Sequence, residues 1–329
     1  MFDENKSELG SSKTGKDAIK EIRTEFLRIY GQSMTTAFGT SNNFKFHRCV
    51  KSCRRSMWIN NMGKGRILKG LCKADISSCY PYELSKALPT LVDAKVEKGV
   101  VLPTEEYPFT FLLVSGHIII HDELDTRALM GDDFYLDMVR TKDPSKIYWT
   151  MPGEEEVSVC CKKCALSMKP IMEKFYKNKQ TMTGREKEDM KRILVASIGY
   201  LESEDFNKYS NQQFLSAVVY ARTLVRMIGL AHKIEEAGGI PLMMLIDSLI
   251  WKGPVIDDCV DKKSASLGDF VLEFEDVDGC YLGQGQYALA DKNGTLLTVK
   301  HQGIDKQVVN SWKMDSLQDF LDRKKEVTE

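Results

Sequence analysis

Apolar and polar positions alternate along this chain in blocks that change period several times. Residues 1–18 are polar, rich in Ser, Lys and Gly, and are expected to fray. From 19 to 30, Ile19, Ile22, Phe26 and Ile29 recur on one helical face, and the Thr/Ser/Gly/Asn-rich stretch 33–43 then reads as loop. An apolar run leading to Asp75 predicts a short buried strand, and Tyr80-Pro81-Tyr-Glu-Leu predicts a helix with Pro in its first turn. Strand-like runs follow at 109–114 and 117–120, and Gly, Asp and Pro punctuate 131–153. Two helices broken near Thr183-Gly184 occupy 165–203, and a longer helix at 212–237 ends at Gly238-Gly239. The run Ile240-Pro-Leu-Met-Met-Leu-Ile-Asp247-Ser248-Leu-Ile-Trp251 predicts a buried hairpin carrying a single acid. Residues 267–304 read as strands with a turn at Asp291-Lys-Asn-Gly294, and 315–329 as a short helix. Helices and strands in separate runs of this kind predict an α+β fold.

Length and composition narrow the class. With 329 residues the chain can bury one large core or two modest ones. No apolar run approaches the roughly 20 residues of a membrane span, and the N-terminal Met-Phe-Asp-Glu-Asn-Lys lacks the pattern of a signal peptide. A cytoplasmic protein with no membrane partner is therefore expected. Nine cysteines, an odd number without an export signal, read as reduced thiols or metal ligands rather than as a disulfide framework. Cys49-x-x-x-Cys53 and Cys160-Cys161-Lys-Lys-Cys164 raise zinc on Cys49, Cys53, Cys161 and Cys164. Their spacing matches no common zinc signature, and plain thiols are the preferred reading.

The net charge of -1 hides an uneven layout. Residues 26–74 contain no acid but ten bases, namely Arg28, Lys45, Arg48, Lys51, Arg54, Arg55, Lys64, Arg66, Lys69 and Lys73. A second basic cluster spans 162–192, and the balancing acids concentrate in 257–278. Such segregation suits a protein that grips phosphates on one side; a solvated basic surface is the plainer alternative. In 44–60 the bases are interleaved with Phe44, Phe46, Met57 and Trp58, a pattern suited to a nucleic-acid backbone with base faces available for stacking.

Two acids stand out chemically. Asp75 sits at the end of an apolar strand and before a helix. Asp247 is flanked by so much apolar surface that its charge is costly unless a cation or hydrogen bonds compensate it. Asp-Ser is also a poor two-residue hairpin turn, so turn chemistry does not account for Asp247.

The segment Asp75-Ile-Ser-Ser-Cys-Tyr80-Pro81 resembles the first palm motif of family B DNA polymerases, D-x-x-S-L-Y-P, with Cys79 in place of Leu. Lys191 and Gly199 match the second, K-x-x-x-N-S-x-Y-G, with Val195, Ala196 and Ile198 substituted. Asp247-Ser248 matches the second Asp and the Ser of Y-x-D-T-D-S, with Met243, Leu245 and Ile246 in place of Tyr, the first Asp and Thr. Tyr287 keeps the tyrosine of a primer-contacting Lys-x-Tyr element while Gly285 replaces its lysine. Lys300 matches a basic position beyond, and Lys51-Ser-Cys-Arg-Arg-Ser replaces a template-contacting Tyr-x-Gly-Gly.

The order and spacing of these elements resemble the protein-primed, bacteriophage-type group, reduced to palm and fingers. The resemblance implies a right-hand palm with a catalytic antiparallel hairpin, helical fingers and a truncated thumb. It divides the chain into a tail and helix (1–44), a basic segment with the first palm strand (45–88), an insertion (89–164), fingers (165–205), palm with hairpin (206–301) and reduced thumb (302–329). By the same resemblance Asp75 and Asp247 are catalytic and hold two Mg²⁺ ions, or Mn²⁺. Ile76, Ser78, Tyr80, Lys174, Lys179 and Lys191 contact a deoxynucleoside triphosphate, Tyr80 excluding a 2'-hydroxyl. Arg54, Arg55, Gly199, Ser248, Tyr287 and Lys300 contact DNA primer and template. A terminal protein or another replication subunit is the implied further partner. The stretch before Asp75 is too short for a proofreading exonuclease domain, and 203–211 is too short for the strand-displacement insertion of this group. The losses at Val195, Ile198, Leu245 and Gly285 support a rival expectation, a catalytically degenerate nucleic-acid-binding or replication-scaffold protein.

Overall fold

The computed structural model describes residues 15–39, 57–60, 62–99, 101–114, 117–122, 157–202, 212–262, 266–283, 285–301 and 314–328. Its helices are α1 (Gly15–Tyr30), α2 (Met34–Phe38), α3 (Cys79–Ser85), α4 (Lys169–Thr181), α5 (Gly184–Glu202), α6 (Gln213–Glu236) and α7 (Leu317–Thr328). Its strands are β1 (Met57–Ile59), β2 (Leu68–Ile76), β3 (Pro89–Lys98), β4 (Phe109–Val114), β5 (His117–Asp122), β6 (Val157–Lys163), β7 (Ile240–Leu245), β8 (Ser248–Lys252), β9 (Phe270–Gly283), β10 (Gln286–Ala290) and β11 (Leu296–His301). The expected α+β class is what is found.

Among the described residues the strands form two sheets. The larger has the order β1-β7-β8-β2-β9-β10-β11, every neighbouring pair antiparallel. The smaller, β3-β6-β4-β5, is antiparallel too and drawn wholly from residues 89–163. Because side chains alternate along a strand, β2 serves two environments. Cys72, Ala74 and Ile76 pack with Leu224, Val225, Ile228 and Ile234 of α6. Leu71, Lys73 and Asp75 point the other way, where Leu71 packs with Met243, Ile250 and Tyr287.

α6 joins the two halves of the molecule. Its first half, from Phe214 to Tyr220, lies in one cluster with Phe26, Phe38, Phe111, Ile171, Ile193 and Ile198, so α1, α4, α5 and the small sheet share a core. Its second half supports the large sheet. α6 is also, among the described residues, the one helix long and apolar enough to cross a membrane by length and composition, although Arg222 and Arg226 interrupt its apolar run. Here its apolar surface is spent inside the protein, with most of its side chains buried.

Two local features depart from expectation. Residues 33–39, read as loop, contain α2, because Ser33 Oγ accepts the amide hydrogen of Thr36 (3.1 Å) as an N-cap and Met34 and Phe38, one turn apart, are both buried. The hairpin turn between β7 and β8 is Ile246-Asp247 rather than Asp247-Ser248, since Leu245 pairs with Ser248. The turn at Asp291 is as expected: its Oδ1 accepts from the amides of Asn293 and Thr295, both at 2.9 Å.

Candidate active site

The large sheet brings the two singled-out acids together. Asp75 is the penultimate residue of β2 and lies directly opposite Ser248 of β8, next in sequence to Asp247. The Ile76 amide donates to the Asp247 carbonyl (2.8 Å), tying the hairpin tip to the strand end. Asp75 and Asp247 are both half-buried. Burial first, and then the neighbouring Asp247 charge, raises the Asp75 pKa to about 7. Burial likewise lifts Asp247 to about 6, against its own backbone amide and Lys73, which favour the charged form. Half-buried acids this near each other repel, and a divalent cation would relieve that repulsion.

The backbone on either side of the acids is unusual. Ile246, just before Asp247, has φ 51°, and Ser78, three residues after Asp75, has φ 49°. The left-handed region is costly for a β-branched residue and uncommon for serine. Past Asp75 the chain is pinned from two directions. The Ser77 amide donates to the Asp269 carbonyl and the Gly268 amide to the Ser77 carbonyl, both at 2.8 Å. Arg226 of α6 stacks over Tyr82 (4.7 Å) and Phe270 (5.0 Å), donates to Glu83 Oε1 (3.2 Å) and bonds the Gly268 carbonyl. Gly268, at φ +91°, passes so close to the Tyr82 ring that a Cβ there would lie 2.2 Å from it.

Basic groups face the acids from the helical side. Lys179, at the end of α4, donates to Ser78 Oγ (3.0 Å) and sits 5.4 Å from the centre of the Tyr176 ring. Burial lowers its pKa, the charges of Lys191 and Lys187 lower it further, and Asp75 opposes them. Lys187 and Lys191 are therefore within electrostatic reach of Lys179, and Lys179 within that of Asp75. Lys187 was not anticipated from the sequence; its spacing of four from Lys191, one helical turn, was the available signal. Lys174 lies elsewhere: its ammonium pairs with Glu25 of α1 (2.9 Å), away from the acids.

The remaining expected residues fall as follows. Ile76 turns its side chain into the core beneath the sheet and offers the site only backbone. Tyr80 is half-buried and meets Tyr220 edge-on at 5.4 Å. Ser248 is buried, its hydroxyl 3.4 Å from the Leu245 carbonyl. Tyr287 is 3% exposed and sits against Lys73, while Lys300, its cross-strand partner, is exposed. Gly199 lies within α5. Lys191 and Val195 are exposed but Ile198 is fully buried, so the face expected to carry all three divides between solvent and core. Arg54, Arg55, Cys49 and Cys53 lie outside the described residues. Cys161 and Cys164 are buried and burial raises both thiol pKa values; Cys164 Sγ is 3.5 Å from the Ala37 carbonyl.

Among the described residues no three Asp, Glu, His or Cys side chains cluster as a ready-made cage for a metal ion. The donor set at the sheet is the pair Asp75 and Asp247, which suits Mg²⁺. That ion keeps several waters and binds through one or two carboxylates plus the phosphates of a substrate. Such a pair would fit that ion.

Neither a protein-family model nor a curated protein matches the sequence. Solved structures do match the fold. Phi29 DNA polymerase complexed with single-stranded DNA superposes with a TM-score of 0.64 at 17% identity, over 93% of this chain and 62% of that one. Phi29 DNA polymerase in its ternary complex with primer-template DNA and incoming nucleotide substrates gives 0.63 at 18%, over 91% and 62%. The chain thus spans about three-fifths of the length of the polymerase structures it matches. The likeness extends through the palm and fingers of that fold.

Proposed function

We propose that the chain carries out template-directed nucleotidyl transfer, as a DNA polymerase or primase-like enzyme of the protein-primed family B type. The observation that carries this reading is the placement of Asp75 and Asp247 at one end of adjacent antiparallel strands, with Lys179 reaching the turn that follows Asp75. In this reading Asp75 and Asp247 hold Mg²⁺, which when bound activates a primer hydroxyl and stabilises the leaving pyrophosphate. Lys179, Lys187 and Lys191 neutralise and orient the triphosphate, point charges suited to phosphate oxygens. Tyr80, braced by Tyr220, forms the floor under the sugar. The partners are a DNA primer-template and deoxynucleoside triphosphates.

Primer extension with labelled nucleotides and Mg²⁺ or Mn²⁺ tests it. Asp75→Asn and Asp247→Asn should each reduce incorporation by on the order of 10³-fold, the several kcal/mol that metal-ion catalysis supplies. Incorporation that is absent from the wild type, or equal in all three proteins, rejects the enzyme. The second reading, a nucleic-acid-binding scaffold, is favoured by Leu245 at the place of an acid and by the apolar Val195 exposed on α5. Binding to primer-template without incorporation would select it.

A further inference from the structure

Where α4 meets the turn that follows Asp75, the contacts are made by hydroxyl groups. The Tyr176 and Ser77 hydroxyls lie 3.3 Å apart, and Lys179, three residues further along the same face of α4, donates to the Ser78 hydroxyl (3.0 Å). The Tyr176 ring also lies under the Lys179 ammonium. Tyr176 therefore touches both the turn and the lysine that reaches it. Apolar packing does not hold this end of the helix. The buried residues of α4 are Ile171, Met172 and Phe175, and none from 176 to 181 is buried. Met182, just past the helix, is again partly buried against the core.

The turn is the fixed partner in this seam. The Ser77 amide and carbonyl are both bonded, to the Asp269 carbonyl and the Gly268 amide, at 2.8 Å each. Ser78 stands at the N-cap of α3, where a serine oxygen ordinarily accepts from a first-turn amide. Its side chain makes no such bond, and its hydroxyl meets Lys179 instead. A lysine side chain gives up much rotamer freedom when it is fixed on a ligand. Where the fold has already fixed it, that cost falls on folding rather than on binding. An ammonium has three N–H donors and the Ser78 bond uses one, so a phosphate oxygen can join without the seam parting. That added bond is the stronger one, because both of its partners carry charge.

We propose that Tyr176 is a positioning residue: anchored on Ser77, it holds the last turn of α4 against the turn after Asp75 and so presents the Lys179 ammonium, before any nucleotide is bound, to the polyphosphate of a nucleoside triphosphate. The inference rests on the nucleotidyl-transfer reading, and its test separates the two. Binding of a fluorescently labelled deoxynucleoside triphosphate to the full chain is measured by anisotropy, with Mg²⁺ and a dideoxy-terminated primer-template so that no incorporation follows, and Tm is recorded alongside. Tyr176→Phe keeps the ring and removes one hydroxyl. It should weaken binding about five-fold, the worth of one hydrogen bond, with Tm near that of the wild type because the contact is only part-buried. Ser77→Ala should do the same, and the two together no more than either alone. In a Lys179→Ala background Tyr176→Phe should change nothing further, since the tyrosine acts through the lysine. In primer extension Tyr176→Phe should raise the KM for nucleotide by the same factor and leave kcat within about two-fold. Unchanged affinity in Tyr176→Phe, additive losses in the double variant, a further loss in the Lys179→Ala background, or a fall in Tm that accounts for the weaker binding each overturn the role of Tyr176 alone. A wild type that binds no triphosphate overturns the nucleotidyl-transfer reading and this role with it.

Discussion

Ile246 and Ser78 show how much conformational cost is concentrated around two side chains. An isoleucine at φ 51° carries a penalty of about 1–2 kcal/mol, and it holds the residue whose carbonyl the Ile76 amide reaches. Ile246→Gly removes that penalty and gives back part of it as chain entropy and lost packing. The expected outcome is a gain of up to about 1 kcal/mol in unfolding free energy by denaturant titration, with slower incorporation because the tip that carries Asp247 loosens. Lower stability in the glycine variant would show that the isoleucine side chain, rather than its backbone, decides the turn. Turn propensity is blind here. Asp247 was legible as a costly acid in an apolar run, yet the position of the turn was not, because no favoured turn residue marks Ile246-Asp247. Cross-strand pairing fixed the register instead.

At the scale of elements, α4 and α5 sort the lysines. Lys187 and Lys191 act on Lys179, which reaches toward Asp75, whereas Lys174 turns to α1, where Glu25 accepts from Arg28 (2.6 Å) and Lys174 (2.9 Å). Lys187→Ala should raise the KM for nucleotide roughly ten-fold with a smaller change in kcat, the loss of one charge-assisted phosphate contact. Lys174→Ala should leave that KM unchanged and lower Tm; steady-state kinetics on the two variants distinguish them. The Glu25 clamp has its own pH signature. Hydrogen bonds from Arg28 and Lys174 hold its pKa down at about 2, against 4.5 for the free side chain. The folded state therefore binds fewer protons than the unfolded state between those values. The stabilisation is complete above pH about 4.5 and is lost as pH falls toward 2. With Arg28 and Lys174 both exposed, about 1 kcal/mol is expected, and Glu25→Gln should flatten the acid limb of the Tm-against-pH curve by that amount. The helices were readable from period and from the Thr183-Gly184 break. Which lysine faces which partner was not, because that choice depends on α1 packing against α4 and α5 across more than 100 residues of sequence. α2 was hidden for a simpler reason: its two apolar anchors lie in a stretch whose composition reads as loop.

For the whole molecule, the decisive element is α6, whose two ends belong to different apolar clusters. Neither the helical half with the small sheet nor the large sheet keeps its interior if that helix is lost, so the described residues should melt as one unit. Trp251, fully buried beneath α6 with its indole nitrogen donating to the Pro254 carbonyl (2.8 Å), is a probe of this. Trp251→Ala should cost about 3–5 kcal/mol and move a single calorimetric transition, whereas a second transition left in place would mean the halves melt separately. The charge layout read from the sequence also acquires meaning only at this scale. Lys73 and Lys179, more than 100 residues apart in sequence, both act on Asp75, while the net charge of the chain stays at -1. The grip of Arg226 on Tyr82, Phe270, Glu83 and the Gly268 carbonyl has a further consequence. One guanidinium reaching out of the backbone rod of the molecule latches the bend beyond Asp75, so warming need only spring that latch for the two acids to drift out of register. The edge that carries the two acids would then lose its geometry while the interior was still solid.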